Sequence, residues 1–390
     1  MWSVAGVVLM NVTLQFLLYP SWDKALGSEA YGNVLYYISL MNIVAASLGH
    51  GSNNARMVEQ KRGGSSNRAF FAVLTVATGL LLILTNAVRG LLGMDWLTGL
   101  LFSMLVVATL WRSYADVDFR LRLDYKGYFL YYVAISVGYG LGWLLFSWSS
   151  NWIWALLPGE ILAVLFVLLR GDVLRPNGWP HQHEFWDTAR SATILFSSTF
   201  CANLIFNCDR VLLKWLLGGT AVTTYYLASL IGKTMALITT PLNSVLIGYL
   251  MRYKGTLSKK MLGGVALGSA AAAALVTGGC IVASAVLLPI LYPTEYEEVK
   301  PYLWLGNLAQ IVYFIGNVIN VMLLRFGKKQ DQLYVNILYG VLFVALCVPL
   351  TYFFGLWGFC GGYLATTVGR LVFGLVLNLV RSRRAPAETA

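Results

Sequence analysis

The sequence predicts an all-α polytopic membrane protein, with twelve transmembrane helices arranged as two six-helix lobes. Three observations carry this reading: the composition, the placement of lysine and arginine, and an internal repeat. Of 390 residues, 58% are hydrophobic and only 12% are charged, and the mean hydropathy is +0.68. A soluble domain carries about a quarter charged residues. Apolar runs of roughly 17 or more residues recur along the whole chain, each long enough to cross a hydrocarbon core of roughly 30 Å.

Taken in order, the spans fall near 2–20, 33–55, 69–88, 97–114, 128–147, 153–169, 190–207, 222–250, 262–291, 302–324, 333–353 and 357–380. The eighth and ninth exceed what a bilayer requires, which predicts tilt or extension into water. The first run has neither a basic flank nor a small-residue cleavage site, so it is expected to stay as the first span.

Orientation follows from the basic residues, which concentrate in cytoplasmic loops. With the N-terminus inside, alternate turns hold Arg56, Lys61, Arg62 and Arg68, then Arg112, Arg120, Arg122 and Lys126, then Arg170, Arg175 and Arg190. The same side continues with Arg252, Lys254, Lys259 and Lys260, then Arg325, Lys328 and Lys329, and the tail residues Arg381, Arg383 and Arg384. The opposite side holds only Lys24, Arg89, Arg210, Lys214 and Lys300. Both termini are therefore expected in the cytoplasm. The net charge of +11 is this membrane-sidedness signal and not a nucleic-acid footprint. Trp143, Trp148, Trp152 and Trp154 crowd one outer turn, where interfacial aromatic anchors belong. The five cysteines fall in or beside spans and read as small packing residues, without a disulfide framework.

The repeat relates Leu26-Gly27-Ser28-Glu29-Ala30, followed by Tyr36-Tyr37-Ile38-Ser39-Leu40, to Leu217-Gly218-Gly219-Thr220-Ala221, followed by Tyr225-Tyr226-Leu227-Ala228-Ser229-Leu230. Each block follows an acidic–basic pair, Asp23-Lys24 and Asp209-Arg210. Six spans per half make the halves parallel, an arrangement that places a transporter's site at the repeat interface. The expected organisation is an N-terminal lobe at 1–170, a cytoplasmic linker at 171–189 and a C-terminal lobe at 190–390. The linker carries His181 and His183, too few ligands to make a metal site. Gly232-Lys233-Thr234 imitates the end of a phosphate-binding loop, but position 227 is leucine and no strand precedes it. All other connections are short, which leaves no soluble domain for a polymerase or an ATP-driven pump.

Several segments resemble one family. Leu26-Gly27-Ser28-Glu29-Ala30-Tyr31-Gly32 resembles a turn after its first span, and Asn207-Cys208-Asp209-Arg210-Val211-Leu212-Leu213-Lys214 resembles the close of its seventh. Tyr225-Tyr226-Leu227-Ala228 resembles the start of the eighth. Pro293-Thr294-Glu295-Tyr296 resembles an outer turn that more often begins with glycine. Gly327-Lys328-Lys329-Gln330, then Phe354-Gly355-Leu356-Trp357-Gly358-Phe359-Cys360-Gly361-Gly362-Tyr363-Leu364-Ala365-Thr366, resemble the end of its C-terminal lobe. The family is the polysaccharide-exporter branch of the multidrug/oligosaccharidyl-lipid/polysaccharide (MOP) superfamily, which includes the Wzx-type flippases. The stretch before the first span is shorter than usual there.

The resemblance implies a MATE-like pair of six-helix bundles forming a V around a central cavity, and alternating access to that cavity. It also implies a cargo, undecaprenyl-pyrophosphate-linked oligosaccharide, moved from the cytoplasmic to the outer leaflet of the bacterial cytoplasmic membrane. The pathway would be O-antigen, capsule or exopolysaccharide biosynthesis, with membrane lipid and other assembly proteins as partners.

Such a cargo requires fixed cations for its phosphates and polar groups for its sugars. An ionisable residue inside a span costs at least roughly 2.5–3.5 kcal/mol, so it faces a cavity or a partner. Lys233 is the first candidate for cargo contact; its bland alternative is pairing with Glu160. Arg370 is the second, since a guanidinium suits bidentate phosphate recognition; its alternative is interhelical bonding or snorkelling. Asn203 and Asn207 share one face of the seventh span, and Asn317 and Asn320 one face of the tenth. Both pairs could bind sugar hydroxyls or join helices. Asp209 and Arg210, mirrored by Asp23 and Lys24, form either an internal ion pair or an outer gate. Glu160 could bind a coupling H⁺ or Na⁺ or neutralise a buried cation. No other cofactor and no metal is expected.

The reading is a non-enzymatic flippase. Its rivals are a MATE-like drug or organic-cation antiporter, which would want acidic cavity residues, and a membrane glycosyl- or acyltransferase, for which His50 alone supplies too little chemistry.

Overall fold

The computed structural model describes residues 2–61, 66–237, 239, 259–326 and 330–382. Arg62, the end of the eighth span with Arg252 and Lys254, the Lys328-Lys329 turn, and Arg383 and Arg384 lie outside the described residues. Within them the fold is entirely helical, and ten helices are long and apolar enough to cross a membrane. The surface is inverted relative to a soluble protein. Leu80, Ile83, Val282 and Ile290 are exposed, whereas Asp23, Glu160, Asp209 and Arg370 are buried. The chain is a multi-pass membrane protein.

In chain order the helices are α1 (Val4–Leu26), α2 (Ser28–Gln60), α3 (Asn67–Val88), α4 (Trp96–Ala115), α5 (Tyr125–Ser149), α6 (Trp152–Arg170) and α7 (Gln182–Leu217). There follow α8 (Gly219–Thr234), α9 (Lys259–Leu291) and α10 (Leu303–Phe326). The run Asp331–Val380 turns at Gly355, with φ 58° and ψ −140°, which separates α11 before it from α12 after it. That turn falls between the expected spans 333–353 and 357–380. Of the eighth expected span, α8 covers the first turns, to Thr234. Helix α7 begins at Gln182, inside the segment expected as linker. Its 36 residues make it about 54 Å long, longer than the hydrocarbon core.

The two repeat blocks share a backbone feature. Gly27, between α1 and α2, has φ 80° and ψ 165°; Gly218, between α7 and α8, has φ 93° and ψ −176°. This region is essentially open only to glycine, so the Leu-Gly pair at the head of each repeat block makes the same abrupt corner twice. Single π-helical turns interrupt α1 at Thr13–Leu18, α2 at Asn42–Ala46 and α11 at Phe343–Cys347.

Contacts divide the chain into two units, Met1–Val211 and Leu212–Ala390, with the division inside α7. The first unit is built on Trp22, Tyr31, Phe70, Tyr131 and Ile135. Trp152 joins this core: it stacks on Tyr37 and meets Trp22 edge-on, and only 8% of it is exposed. It is not the interfacial anchor expected, whereas Trp148 stays 94% exposed. The second unit packs α8, α9 and α12 on α10, with Ile319, Val321 and Met322 of α10 covered by Val265, Leu371, Leu375 and Leu379. All five cysteines are free thiols.

Candidate functional site

In the second unit, Arg370 on α12 is 6% exposed and crosses to α10. Its Nη2 donates to Asn317 Oδ1 at 2.8 Å, and its Nη1 to the Tyr313 carbonyl at 3.5 Å. The guanidinium lies over the rings of Tyr313 and Tyr339, 4.7 and 5.4 Å from their centroids. The Nε N–H is buried without a hydrogen-bond partner. Arg370 therefore sits between aromatic faces and an amide, with no carboxylate among its contacts within the described residues. A planar cation held this way has its orientation fixed and a donor in reserve, the requirement for recognising an oxyanion. Arg370 and Asn317, both expected to contact cargo, are thus brought together.

Asn320 is one turn further along α10. Its backbone carbonyl accepts from Gln332 Nε2 at 3.0 Å.

Lys233 on α8 is 9% exposed, with Nζ over the Tyr225 ring at 6.0 Å. Glu160 has its own partners within the first unit. In the first unit, Arg112 Nε donates to Glu160 Oε2 at 2.5 Å and Tyr139 Oη donates to Oε1 at 2.8 Å. Arg112, assigned from sequence to a cytoplasmic turn, is a helix residue with its side chain only 14% exposed. Gly232-Lys233-Thr234 is helical, so it forms no phosphate loop.

The remaining candidates belong to the first unit. Asn203 Nδ2 donates to Ser47 Oγ of α2 at 2.8 Å, and Thr199 Oγ1 to the Ser47 carbonyl at 2.9 Å. Asn207 Nδ2 returns to the Asn203 carbonyl of its own helix at 2.8 Å. Arg210 Nη1 donates to Ser39 Oγ at 3.2 Å, and the Arg210 N–H to Asp209 Oδ1 at 2.9 Å. Asp23, Asp209 and Arg210 are all buried, but Lys24 is exposed. The Asp23–Lys24 pair therefore does not reproduce the burial of Asp209–Arg210.

Sequence reading passed over two polar clusters. In the first unit, Asp116 accepts from Asn53, from Arg120 at 2.8 Å, and from Tyr128 and Tyr132. His50, which looked isolated in sequence, lies within electrostatic reach of Asp116, Arg112 and Arg120. In the second unit, Asn307 and Gln310 of α10 bond to α8 at Gly232 and Tyr225, both in the turns that lead up to Lys233. Their three-residue spacing on one helix face was the available signal. Among the described residues no cluster of histidine, cysteine and carboxylates could hold a metal. His183 instead faces Asp187 at 3.0 Å.

This is the fold of MOP-superfamily, MATE-like transporters. No family model matches the sequence, and no curated sequence matches it. Among solved structures, a multidrug-resistance MATE family transporter of the MOP superfamily, in an inward-facing conformation, superposes with TM-score 0.76 at 14% identity. That match covers 100% of both chains. The lipid II flippase MurJ matches with TM-score 0.64 and 11% identity over 95% of this chain and 87% of that one. A MOP-superfamily transporter from Pyrococcus furiosus, whose reverse pocket polarity suggests a different function, matches with TM-score 0.58 and 12% identity. It covers 98% of this chain and 93% of that one.

Proposed function

We propose that the chain is a Wzx-type flippase. It carries undecaprenyl-pyrophosphate-linked oligosaccharide from the cytoplasmic to the outer leaflet of a bacterial cytoplasmic membrane by alternating access, and both its termini are cytoplasmic. One observation carries this reading: the buried Arg370 guanidinium, braced by Asn317 and two tyrosines, with an unmet N–H and no carboxylate partner among the described residues. A cation kept at membrane depth without a counter-ion suits an anionic cargo. Arg370 contacts phosphate when the site opens, with Lys233 as the second cation and Asn317 and Asn320 towards the sugars. The MurJ likeness supports a lipid-linked cargo within this fold.

A second reading, antiport of a drug or organic cation, draws on Asp23 and Asp209. These carboxylates are 4% and 2% exposed, and a cationic cargo would seek them.

One experiment separates the two. The protein is depleted, spheroplasts are made, and outward-facing sugars are labelled with a membrane-impermeant oxidant. Lipid-linked oligosaccharide that accumulates unlabelled, then becomes labelled on re-expression, supports flipping. Labelling that is unchanged by depletion removes the flippase reading and leaves antiport.

A further inference from the structure

We propose that Asn307 is a positioning residue for Lys233, acting through the backbone of α8. Asn307 is fully buried on α10. Its Oδ1 accepts the Gly232 N–H at 2.8 Å, and its Nδ2 donates to the Ala228 carbonyl at 3.0 Å. Residues 232 and 228 stand four apart, so these are the two groups that α-helical bonding pairs with each other. One amide side chain therefore bridges a single turn of α8 from outside, and that turn ends one residue before Lys233. Side chains that enter the backbone ladder are a recognised cause of helix bending. Helix α8 runs to Thr234, and the Met235 N–H returns to the Gly232 carbonyl.

The bridge is held from its other side. Asn307 Nδ2 also reaches the Leu303 carbonyl at 2.8 Å and Ser284 Oγ of α9 at 3.4 Å, which fixes the amide plane. One turn along α10, Gln310 Nε2 donates to Tyr225 Oη at 3.3 Å. Tyr225 is the ring beneath Lys233 Nζ. Two amides three residues apart on α10 thus hold the backbone beside Lys233 and the aromatic surface under it. Close approach makes this geometry available. A Cβ on Gly306 would lie 2.8 Å from the Ala228 carbonyl oxygen, and one on Gly232 would lie 3.1 Å from Asn307 Oδ1. The Lys233 ammonium is therefore aimed by Asn307 and Gln310, and is not a lysine on a free helix surface.

This inference rests on the reading of Lys233 as a contact for an anionic cargo, and a double-mutant cycle tests the two separately. The full-length protein in nanodiscs is titrated with inorganic pyrophosphate. Wild type, Lys233→Ala, Asn307→Ala and the double variant are compared, with thermal midpoints measured alongside. Lys233→Ala is expected to weaken binding about tenfold or more, and Asn307→Ala about three- to tenfold, the range of one lost hydrogen bond to the backbone that holds Lys233. In the Lys233→Ala background, Asn307→Ala is expected to change binding by less than about twofold. A purely structural role would instead lower the midpoint equally in both backgrounds and leave the binding effects multiplicative; that outcome overturns the proposal. Unchanged binding in Lys233→Ala defeats the cargo-contact reading itself. Should Asn307→Ala fail to fold, Gly232→Ala perturbs the same junction while keeping the amide, and the same non-additivity with Lys233→Ala is expected. Additive effects there count equally against the proposal.

Discussion

Replacing Glu160 by glutamine tests whether this carboxylate is a structural counter-ion or a group that exchanges a coupling ion. Glu160 is 2% exposed, and its Oε2 lies 2.5 Å from Arg112 Nε, whose side chain is 14% exposed. At that separation and an effective dielectric of about 20, the direct attraction is about 7 kcal/mol. Desolvation of both groups offsets part of it. Removing one partner from a buried pair destabilises by about 3–5 kcal/mol, because the other charge stays buried and uncompensated. Glu160→Gln is therefore expected to cost about that much in reversible unfolding of the reconstituted protein. Arg112→Met with Glu160→Leu and Tyr139→Phe should recover most of the loss, since an apolar replacement of similar volume leaves no orphaned charge or hydroxyl. A Glu160→Gln cost below about 1 kcal/mol would refute the counter-ion argument. If transport were lost at the same time, Glu160 would be the ion-binding group that the sequence also allowed.

Three further predictions concern other parts of the chain. Gly27→Ala and Gly218→Ala force a side chain into backbone regions that only glycine enters freely, so each should cost about 1–3 kcal/mol in the same unfolding assay. Two neutral results would mean that the repeat corners carry no strain. Arg370→Lys keeps the charge but loses the planar group between Tyr313 and Tyr339. Surface-polysaccharide output in a complementation assay should fall about tenfold or more despite normal membrane abundance, and full complementation would show that charge alone suffices. Asp95 caps α4, where hydrogen bonds from the Thr98 side chain and from the Thr98 and Leu97 N–H groups hold its carboxyl below the usual range. A depressed carboxylate contributes stability above its unfolded value and loses it as pH falls through the folded one. The midpoint difference between wild type and Asp95→Asn should accordingly shrink on acidification, and a constant difference would contradict the capping role.

The sequence by itself determined the membrane class, the helical fold and the repeat. These depend on quantities carried locally: apolar length, basic-residue placement and glycine at a corner. Leu26-Gly27 and Leu217-Gly218 could be read because a backbone conformation that requires glycine leaves its mark in the residue type. Arg370 and Lys233 were legible as costly residues in apolar runs, and Asn317 was legible as a polar neighbour. Which partner each one has was not legible. That Glu160 meets Arg112 of α4 and Tyr139 of α5 could not be read from their spacing in the chain. The spacing of Asn307 and Gln310 marks a polar face on α10, but it does not say that the Asn307 amide closes a turn of α8. Burial, pairing and aim depend on which helix faces meet, and only the tertiary structure decides that: an ionisable or amide side chain in a span must find a partner, and the chain offers several within each unit.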